Sequence, residues 1–410
     1  MANPTAETAN QASLTGSLVA STPGHHPWLD PAEDHPSGVT GAPACRFRSG
    51  AACSHRGVGH QDALADIWTY IADSSCRGYS PLYDRICRAV AESDAVLDMV
   101  AEAPPEGHNP VLLLAAVHDL LLGGLDHPLA AVYAGESGAD PGSLFVDLCL
   151  SQRDALLGLL ATHHVNTNEV GRSATLGPAL TTVAARLGEP LAHLDVGCSA
   201  GLNLLSDRYL LDYGPAGTTG PGDAPVRIAC RVAGGTPPIA PLLPPIVARV
   251  GLDRAPVDVD DDDEARWQLA CVWPDTGRLP RTRLALEEAR RTPITLVQGD
   301  AVDGVGPAIA GLPAGAVAVV TTTQVVAYLS HAQRAGFREA LAAASRDRPV
   351  AWISAEVQGV VDGLPGAGAP ADDQGVEGSV LGLAVFRDGG VDGTVLGYVH
   401  PHGSWIEWRA

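Results

Sequence analysis

A chain of 410 residues, 46% hydrophobic and 18% charged, has the size for more than one structural unit and the composition of a soluble globular protein. Its formal charge of −21, with no Lys/Arg cluster to offset it, argues against nucleic acid as a partner, because phosphate binders need basic patches to displace counterions. The same balance repels an anionic membrane surface.

Residues 1 to about 58 are rich in Pro, Gly, Ser, Thr and His, show no sustained apolar period, and are expected to be a disordered tail. No charged segment there leads into an apolar one, so a signal peptide is not expected and a cytoplasmic location is. The eight cysteines form no framework, which fits reduced thiols. Cys45, Cys53, His55 and His60 lack CxxC or HxxxH spacing, so no metal site is expected.

From 59 to 189 the pattern is helical. Ala63, Ile67, Trp68 and Ile71 follow a 3.6-residue spacing. Ser80 reads as an N-cap and Pro81 as the first position of a helix over Leu82 to Val100. Val111 to Leu122, Ser143 to Thr162 and Ser173 to Leu187 continue the series. The longest apolar run, Val111 to Leu125, is broken by His118 and Asp119 and falls short of the roughly 20 residues a bilayer span needs.

After Glu189-Pro190, residues 190 to 410 alternate short apolar runs with helical patterns, the signature of a mostly parallel α/β domain. Leu191 to Val196 reads as a strand and Leu202 to Leu211 as the helix after it. A Pro/Gly-rich stretch, about 213 to 245, reads as an insertion. Arg283 to Arg291 is expected to be a helix, Ile294 to Gln298 a strand, Ala316 to Thr321 a strand, Ser330 to Ala344 a helix and Val350 to Ser354 a strand. Val380 to Phe386 and Thr394 to Val399 read as an antiparallel pair at one sheet edge. The acidic run Asp258 to Glu264 lacks the spacing and glycine of a calcium loop and is expected to cap a helix over Ala265 to Val272.

The segment Leu194 to Asn203 couples the first strand to the expected helix through small residues, which lets a ligand approach the backbone. Three chemistries compete for it. A dinucleotide fingerprint fails, because Ser199 and Leu202 stand at its second and third glycine positions. A nucleophile elbow, G-x-S-x-G, is met in full by Gly197 to Gly201, with Asp300 and then His400 or His402 downstream in hydrolase order. Third, Asp195-Val196-Gly197-Cys198-Ser199-Ala200-Gly201 resembles the first motif of class I S-adenosylmethionine-dependent methyltransferases, with Ser199 in place of the middle glycine.

That resemblance implies a Rossmann-like methyltransferase sheet, mostly parallel with an antiparallel last strand, preceded by an all-helical region. It implies S-adenosylmethionine as cofactor, held by Asp195, Gly197, Ser199, Gly201 and Asn203. Gly299-Asp300-Ala301 resembles the segment beside the adenine, and Gln324 follows the strand that resembles the fourth motif. The ribose-binding acid normally follows the loop by about 20 residues. Here the best candidate, Asp253, comes far later, beyond the insertion.

A second resemblance spans nearly the whole chain after the tail. Ser80-Pro81-Leu82-Tyr83, Ala115 to His118, Thr167 to Arg172, Ser199 to Asn203, Arg266-Trp267, Val272-Trp273-Pro274 and His400 to Gly403 resemble bacterial domain-of-unknown-function family 2332. That family implies kinship without a substrate.

Several residues carry two readings. Asn168, Glu169 and Arg172 fit either an N-cap and ion pair bracing the helical region on the sheet, or a polar lid over the cofactor loop. His400, His402 and Glu169 are the candidates for a general base, the histidines being equally suited to a structural turn. Cys198 reads as a small buried hydrophobe, and Trp267 and Trp273 as core or cofactor-wall residues. The function expected is methyl transfer to a small molecule or a protein. A serine hydrolase using Ser199 and a non-catalytic binding module are the alternatives.

Overall fold

The computed structural model describes residues 60–361, 369–371 and 376–410. The expected tail, with Cys45, Cys53 and His55, lies outside the described residues, as does the His60 side chain. The helices are α1 (His60–Ile71), α2 (Pro81–Ala91), α3 (Asp94–Ala101), α4 (Pro110–Leu122), α5 (Leu129–Tyr133), α6 (Pro141–Ser151), α7 (Arg153–Thr162) and α8 (Ser173–Leu187). Ser80 caps α2 by accepting the Tyr83 N–H, with Pro81 in the first turn where its missing N–H costs nothing. Two expected long helices are each broken in two. Glu92 and Ser93 separate α2 from α3, and Gln152, at φ −112°, ψ 26°, separates α6 from α7. The break lets each shorter helix turn its apolar side, such as Leu148 on α6 and Leu160 on α7, into one core around Trp68, Leu113 and Phe145.

The sheet begins at β1 (Leu191–Val196), buried along its whole length as a central parallel strand must be. The expected helix after it is absent. Leu202–Arg208 is a 3-10 turn with Leu205 outside helical geometry, followed by β2 (Leu210–Asp212). Leu202, Leu204 and Leu205 are all buried, so the apolar pattern records burial on several sides rather than one helical face. The expected insertion holds β3 (Thr218–Thr219), β4 (Arg227–Ala229) and β5 (Arg231–Gly234). Strands β3, β2 and β4 form a small sheet of their own.

Next in the chain come β6 (Ile246–Asp253), α9 (Asp262–Ala270), α10 (Leu279–Ala289), β7 (Thr295–Gln298), α11 (Ala301–Ala310), β8 (Val317–Thr323), α12 (His331–Ala344), β9 (Val350–Glu356), β10 (Ser379–Arg387), β11 (Gly390–Val399) and β12 (Trp405–Trp408). Asp261 caps α9 through the N–H groups of Asp263 and Glu264, the role expected of the acidic run. Strand β6 escapes sequence reading because Arg249 and Gly251 break its apolar run. The glycine is required there, since a Cβ would sit 2.5 Å from Cys198 Sγ and 2.8 Å from Leu296. Helix α11 escapes for a similar reason. It holds Gly304, Gly306 and Pro307, yet a Cβ at Gly304 would meet Leu252 at 2.9 Å, so the small residue lets α11 lie close on β6.

Among the described residues the main sheet runs β5-β12-β11-β10-β9-β8-β1-β6-β7. Strands β7, β6, β1, β8 and β9 are parallel neighbours, while β10 runs antiparallel to both β9 and β11. The late strand pair is therefore antiparallel as expected but not at an edge. Strand β12 pairs with β11, and β5, from the expected insertion, closes that edge. Helices α8 and α10 cover one face of the sheet, and α11 and α12 the other. From β1 the chain first builds outward through β6 and β7, then crosses to β8 and β9. The switch point lies between β1 and β8, where open α/β sheets bind ligands at the strands' carboxyl ends.

The helical and sheet portions belong to one compact unit. They are locked at Gly171 and Gly403. A Cβ at Gly171 would lie 2.3 Å from the His402 carbonyl oxygen, and one at Gly403, where φ is +78°, would lie 2.0 Å from the Gly171 carbonyl oxygen. Gly403→Ala is expected to lower unfolding free energy by about 2–3 kcal/mol, combining left-handed strain with backbone displacement. Denaturant melts check this, and Gly135→Ala, at positive φ in open space, is expected to cost about 1 kcal/mol.

Candidate functional site

The bend after β1 opens at the switch point. Gly197, at φ +74°, is its exposed residue, and a Cβ there would lie 2.4 Å from Val325 in the loop after β8. Ser199 and Gly201 also take left-handed backbone, at φ +53° and +71°. Ser199 is tied inward. Its N–H donates to Asp253 Oδ2 at 2.8 Å, its hydroxyl donates to Gln268 Oε1 at 2.7 Å, and its carbonyl accepts from the Val257 N–H. The Leu202 N–H donates to Asn168 Oδ1 at 2.8 Å. Asn203 accepts from the Ser173 hydroxyl. Cys198 fills the space above Gly251, and burial pushes its thiol up, away from reactivity.

The expected cofactor residues thus fall into two groups. Gly197, Asp253, Asp300, Ala301 and Gln324 share the half-open rim formed by the ends of β1, β6, β7 and β8. Asp195, Ser199, Gly201 and Asn203 are buried behind it. Asp253 is the last residue of β6, the parallel neighbour of β1, so the strand pairing puts it beside the bend that it follows by fifty-odd residues. Asp300 caps α11 by accepting the Val302 N–H. Gln324, at φ +59°, donates to Ser379 Oγ at 2.6 Å.

Asp195 lies under the bend, where burial pushes its carboxyl up to about 7 against the Thr321 hydroxyl that donates to Oδ1 at 2.7 Å. Because Thr321 donates there, its oxygen accepts from His193 Nε2 at 2.9 Å. Burial holds that imidazole neutral, with Nδ1 lacking a partner among the described residues.

A second cluster sits beside the rim. Glu169 is buried, and its carboxylate accepts from Arg278 Nη1 at 2.6 Å, Arg281 Nη2 at 2.7 Å and the Gly171 N–H at 2.8 Å. Burial would raise this carboxyl, but Arg278 and Arg281 outweigh it and hold the group down to about 2. Arg172 donates from Nε to the Pro401 carbonyl and from Nη1 to the Thr323 carbonyl, tying the turn before β12 to the end of β8. The Tyr79 ring stacks on His402 at 5.7 Å and 17°, Arg278 lies 5.5 Å from the Tyr79 centroid, and Trp273 stands 5.7 Å away. His400 and His402 do sit together, 5.5 Å between ring centres. Burial and Arg278 hold the His402 imidazole down to about 3.

Sequence reading missed Glu356, Arg278, Arg281 and Tyr79. Glu356 ends β9 and accepts from the Val325 and Val326 N–H groups, which fixes the loop over Gly197. The signal was a lone carboxylate closing an apolar strand, and two arginines beside Trp273-Pro274-Asp275. The surface depressions around Tyr213 and Arg231, and around Arg186 and Arg387, include none of the rim residues. Among the described residues no helix is long and apolar enough to cross a membrane.

Fold and site together define a helix-capped α/β protein with a glycine bend at the topological switch point of its sheet. The model of the family described as "Uncharacterized protein conserved in bacteria", domain-of-unknown-function family 2332, matches residues 65–408, and the chain belongs to that family. No curated protein and no solved structure matches the chain. The segments that carried the resemblance meet in space. Ser80 and the Leu82 N–H bond Asp275, which comes directly after Val272-Trp273-Pro274, and Arg266 pairs with Asp119, next to His118.

Glu169 has a signature in acid. Its native value of about 2 lies below the ordinary 4.5, so its contribution is complete above about pH 4.5 and fades as pH falls toward 2. Glu169→Gln is expected to flatten that part of the stability profile. At pH 7 it should cost about 3–5 kcal/mol, because two guanidinium groups lose their buried partner. Urea midpoints measured from pH 7 to 3 test both.

Proposed function

We propose that the rim binds S-adenosylmethionine and that the protein is a methyltransferase acting on a small molecule or a protein. The observation that supports this reading best is the place of Asp253. A ribose-binding acid is wanted at the end of the strand next to the glycine bend, and Asp253 stands there with its carboxylate touching the Ser199 N–H. The order of the five parallel strands and the reversed β10 next to β9 agree with a Rossmann-like methyltransferase sheet. Exposed Gly197 lets a ligand reach the backbone, and the start of α11 at Asp300 and Ala301 lies where an adenine edge would be read.

Bound at the rim, S-adenosylmethionine would supply an activated methyl group for in-line transfer. The chain's own part is positioning. Neither Glu169, held ionised by two arginines, nor His402, held neutral far below its usual value, is suited to take a proton at neutral pH. Val325 occupies the space a side chain at position 197 would need, and the loop from Gln324 to Tyr328 that carries it is anchored by the Glu356 carboxylate.

The hydrolase reading has less support. An elbow serine needs an imidazole, and the Ser199 hydroxyl donates instead to the Gln268 amide, whose nitrogen donates to the Asn166 carbonyl.

Calorimetric titration of the full chain with S-adenosylmethionine and S-adenosylhomocysteine tests the proposal. Binding of at least one is expected, weakened about 10- to 100-fold by Asp253→Ala, the range for loss of a hydrogen bond to a charged group. A flat titration of folded protein with both ligands sinks it. A fluorophosphonate probe is expected to leave Ser199 unlabelled, and labelling abolished by Ser199→Ala would favour the hydrolase.

A further inference from the structure

Three polar side chains meet beneath the bend, on strands that are otherwise apolar there. His193 and Asp195 stand two apart on β1, so both point to the face where Leu191 joins the core under α8. The register of β8 on β1 sets Thr321 opposite Asp195, and all three residues are at most 2% exposed. Valine has nearly the shape of threonine and suits a buried strand, so the hydroxyl is what sets Thr321 apart. It lies 2.7 Å from Asp195 Oδ1 and 2.9 Å from His193 Nε2. A hydroxyl carries one proton, so when it donates to one neighbour it accepts from the other. The directions of the two bonds are therefore tied together.

The chain has two arrangements. With Asp195 ionised, Thr321 donates to it, His193 Nε2–H donates to Thr321, and Nδ1 is bare. With a proton on Asp195 Oδ1, that O–H donates to Thr321, Thr321 donates to Nε2, and the imidazole hydrogen sits on Nδ1. Nδ1 has no partner among the described residues, so no bond at that end fixes the tautomer. Arg249 is the neighbour of His193 across the β1–β6 pairing and is itself paired with Asp207. Arg249 Nε and Asp207 Oδ1 are also unpartnered, which puts a donor and an acceptor on that side.

The charges facing Asp195 are Arg172, from the segment before α8, and Asp253, from the end of β6, with the Cys198 thiol beside it. Arg249 is the charge facing His193. Burial brings the Asp195 carboxyl to about 7, so both arrangements are within reach near neutral pH. Burial and Arg249 hold His193 down to about 3, so the imidazole carries a second proton only in passing.

We propose that His193, Thr321 and Asp195 form a proton relay. A proton arriving at His193 Nδ1 sends the Nε2 proton to the Thr321 oxygen, and the Thr321 hydroxyl proton moves on to Asp195 Oδ1. Three bonds to hydrogen form and two break, which balances the single proton taken up. The imidazole ends neutral, as the other tautomer. Asp195 thus gains and loses its charge from behind the bend, and this holds whatever the rim binds.

Long-range proton–nitrogen NMR of the full chain, labelled at histidine and aspartate, tests the relay, with His193→Gln and Asp195→Asn giving the assignments. As the Asp195 carboxyl carbon titrates, the two His193 nitrogens are expected to exchange protonated and bare resonances at the same midpoint. Thr321→Val is expected to leave His193 in one tautomer at every pH, and so is Asp195→Asn. If one variant does not fold, the other decides, and the wild-type titration stands without either. A single His193 tautomer while Asp195 titrates, an imidazolium signal at His193, an Asp195 that does not titrate near neutral pH, or a switch that survives Thr321→Val overturns the proposal.

Discussion

The five residues Asn168 to Arg172 hold the protein's parts in register. Asn168 takes the first N–H after the glycine bend, Glu169 takes two arginines from the start of α10, Gly171 lies backbone to backbone on Gly403, and Arg172 reaches the end of β8. Three of these contacts are charge-assisted or to buried backbone, which makes each expensive to leave unmade. The segment leads directly into α8, the helix that covers one face of the sheet. Helical region, sheet and carboxyl-terminal turn are thus tied by adjacent residues of one strap.

That strap changes how the bend can work. A glycine-rich turn is ordinarily a source of free N–H donors for a ligand. Here Asn168 and Asp253 consume donors from Leu202 and Ser199, and the turn after the bend is a short 3-10 segment without a helix's dipole. What this edge leaves open is the exposed Gly197 backbone, with Asp253 and the start of α11 half-buried beside it and Asn168 acting as a brace. Of the two readings of Asn168, Glu169 and Arg172, their bonds describe a brace, and the loop from Gln324 to Tyr328 is the part that lies over Gly197.

Two buried carboxyls near the edge respond to pH in opposite directions. Glu169, below its ordinary value because two cations outweigh burial, stabilises the fold once ionised. Asp195, raised to about 7 because burial outweighs the Thr321 hydroxyl, favours the fold when protonated, and that preference is lost as pH rises through 7. The difference lies in partners. Two guanidinium groups repay the desolvation of one carboxylate, and a neutral hydroxyl does not.

The sequence by itself determined the order of helices before strands, the bounds of α8 and β1, the cap at Ser80, the capping role of the acidic run Asp258 to Glu264, and a small-residue bend after β1. Local patterns carry those features, since caps, buried runs and left-handed positions are set by neighbours in the chain. Only the tertiary structure decided that Asp253 stands beside that bend, that β5 closes an edge beyond the late hairpin, and that Glu169 gathers Arg278 and Arg281. Strand pairing and ion pairing join residues that lie tens to hundreds of positions apart, and β6 and α11 were hidden because their glycines answer to Cys198 and Leu252 across the fold. A spacing rule written for uninterrupted chains places an acid by counting, whereas a sheet places it by which strand lies next to which.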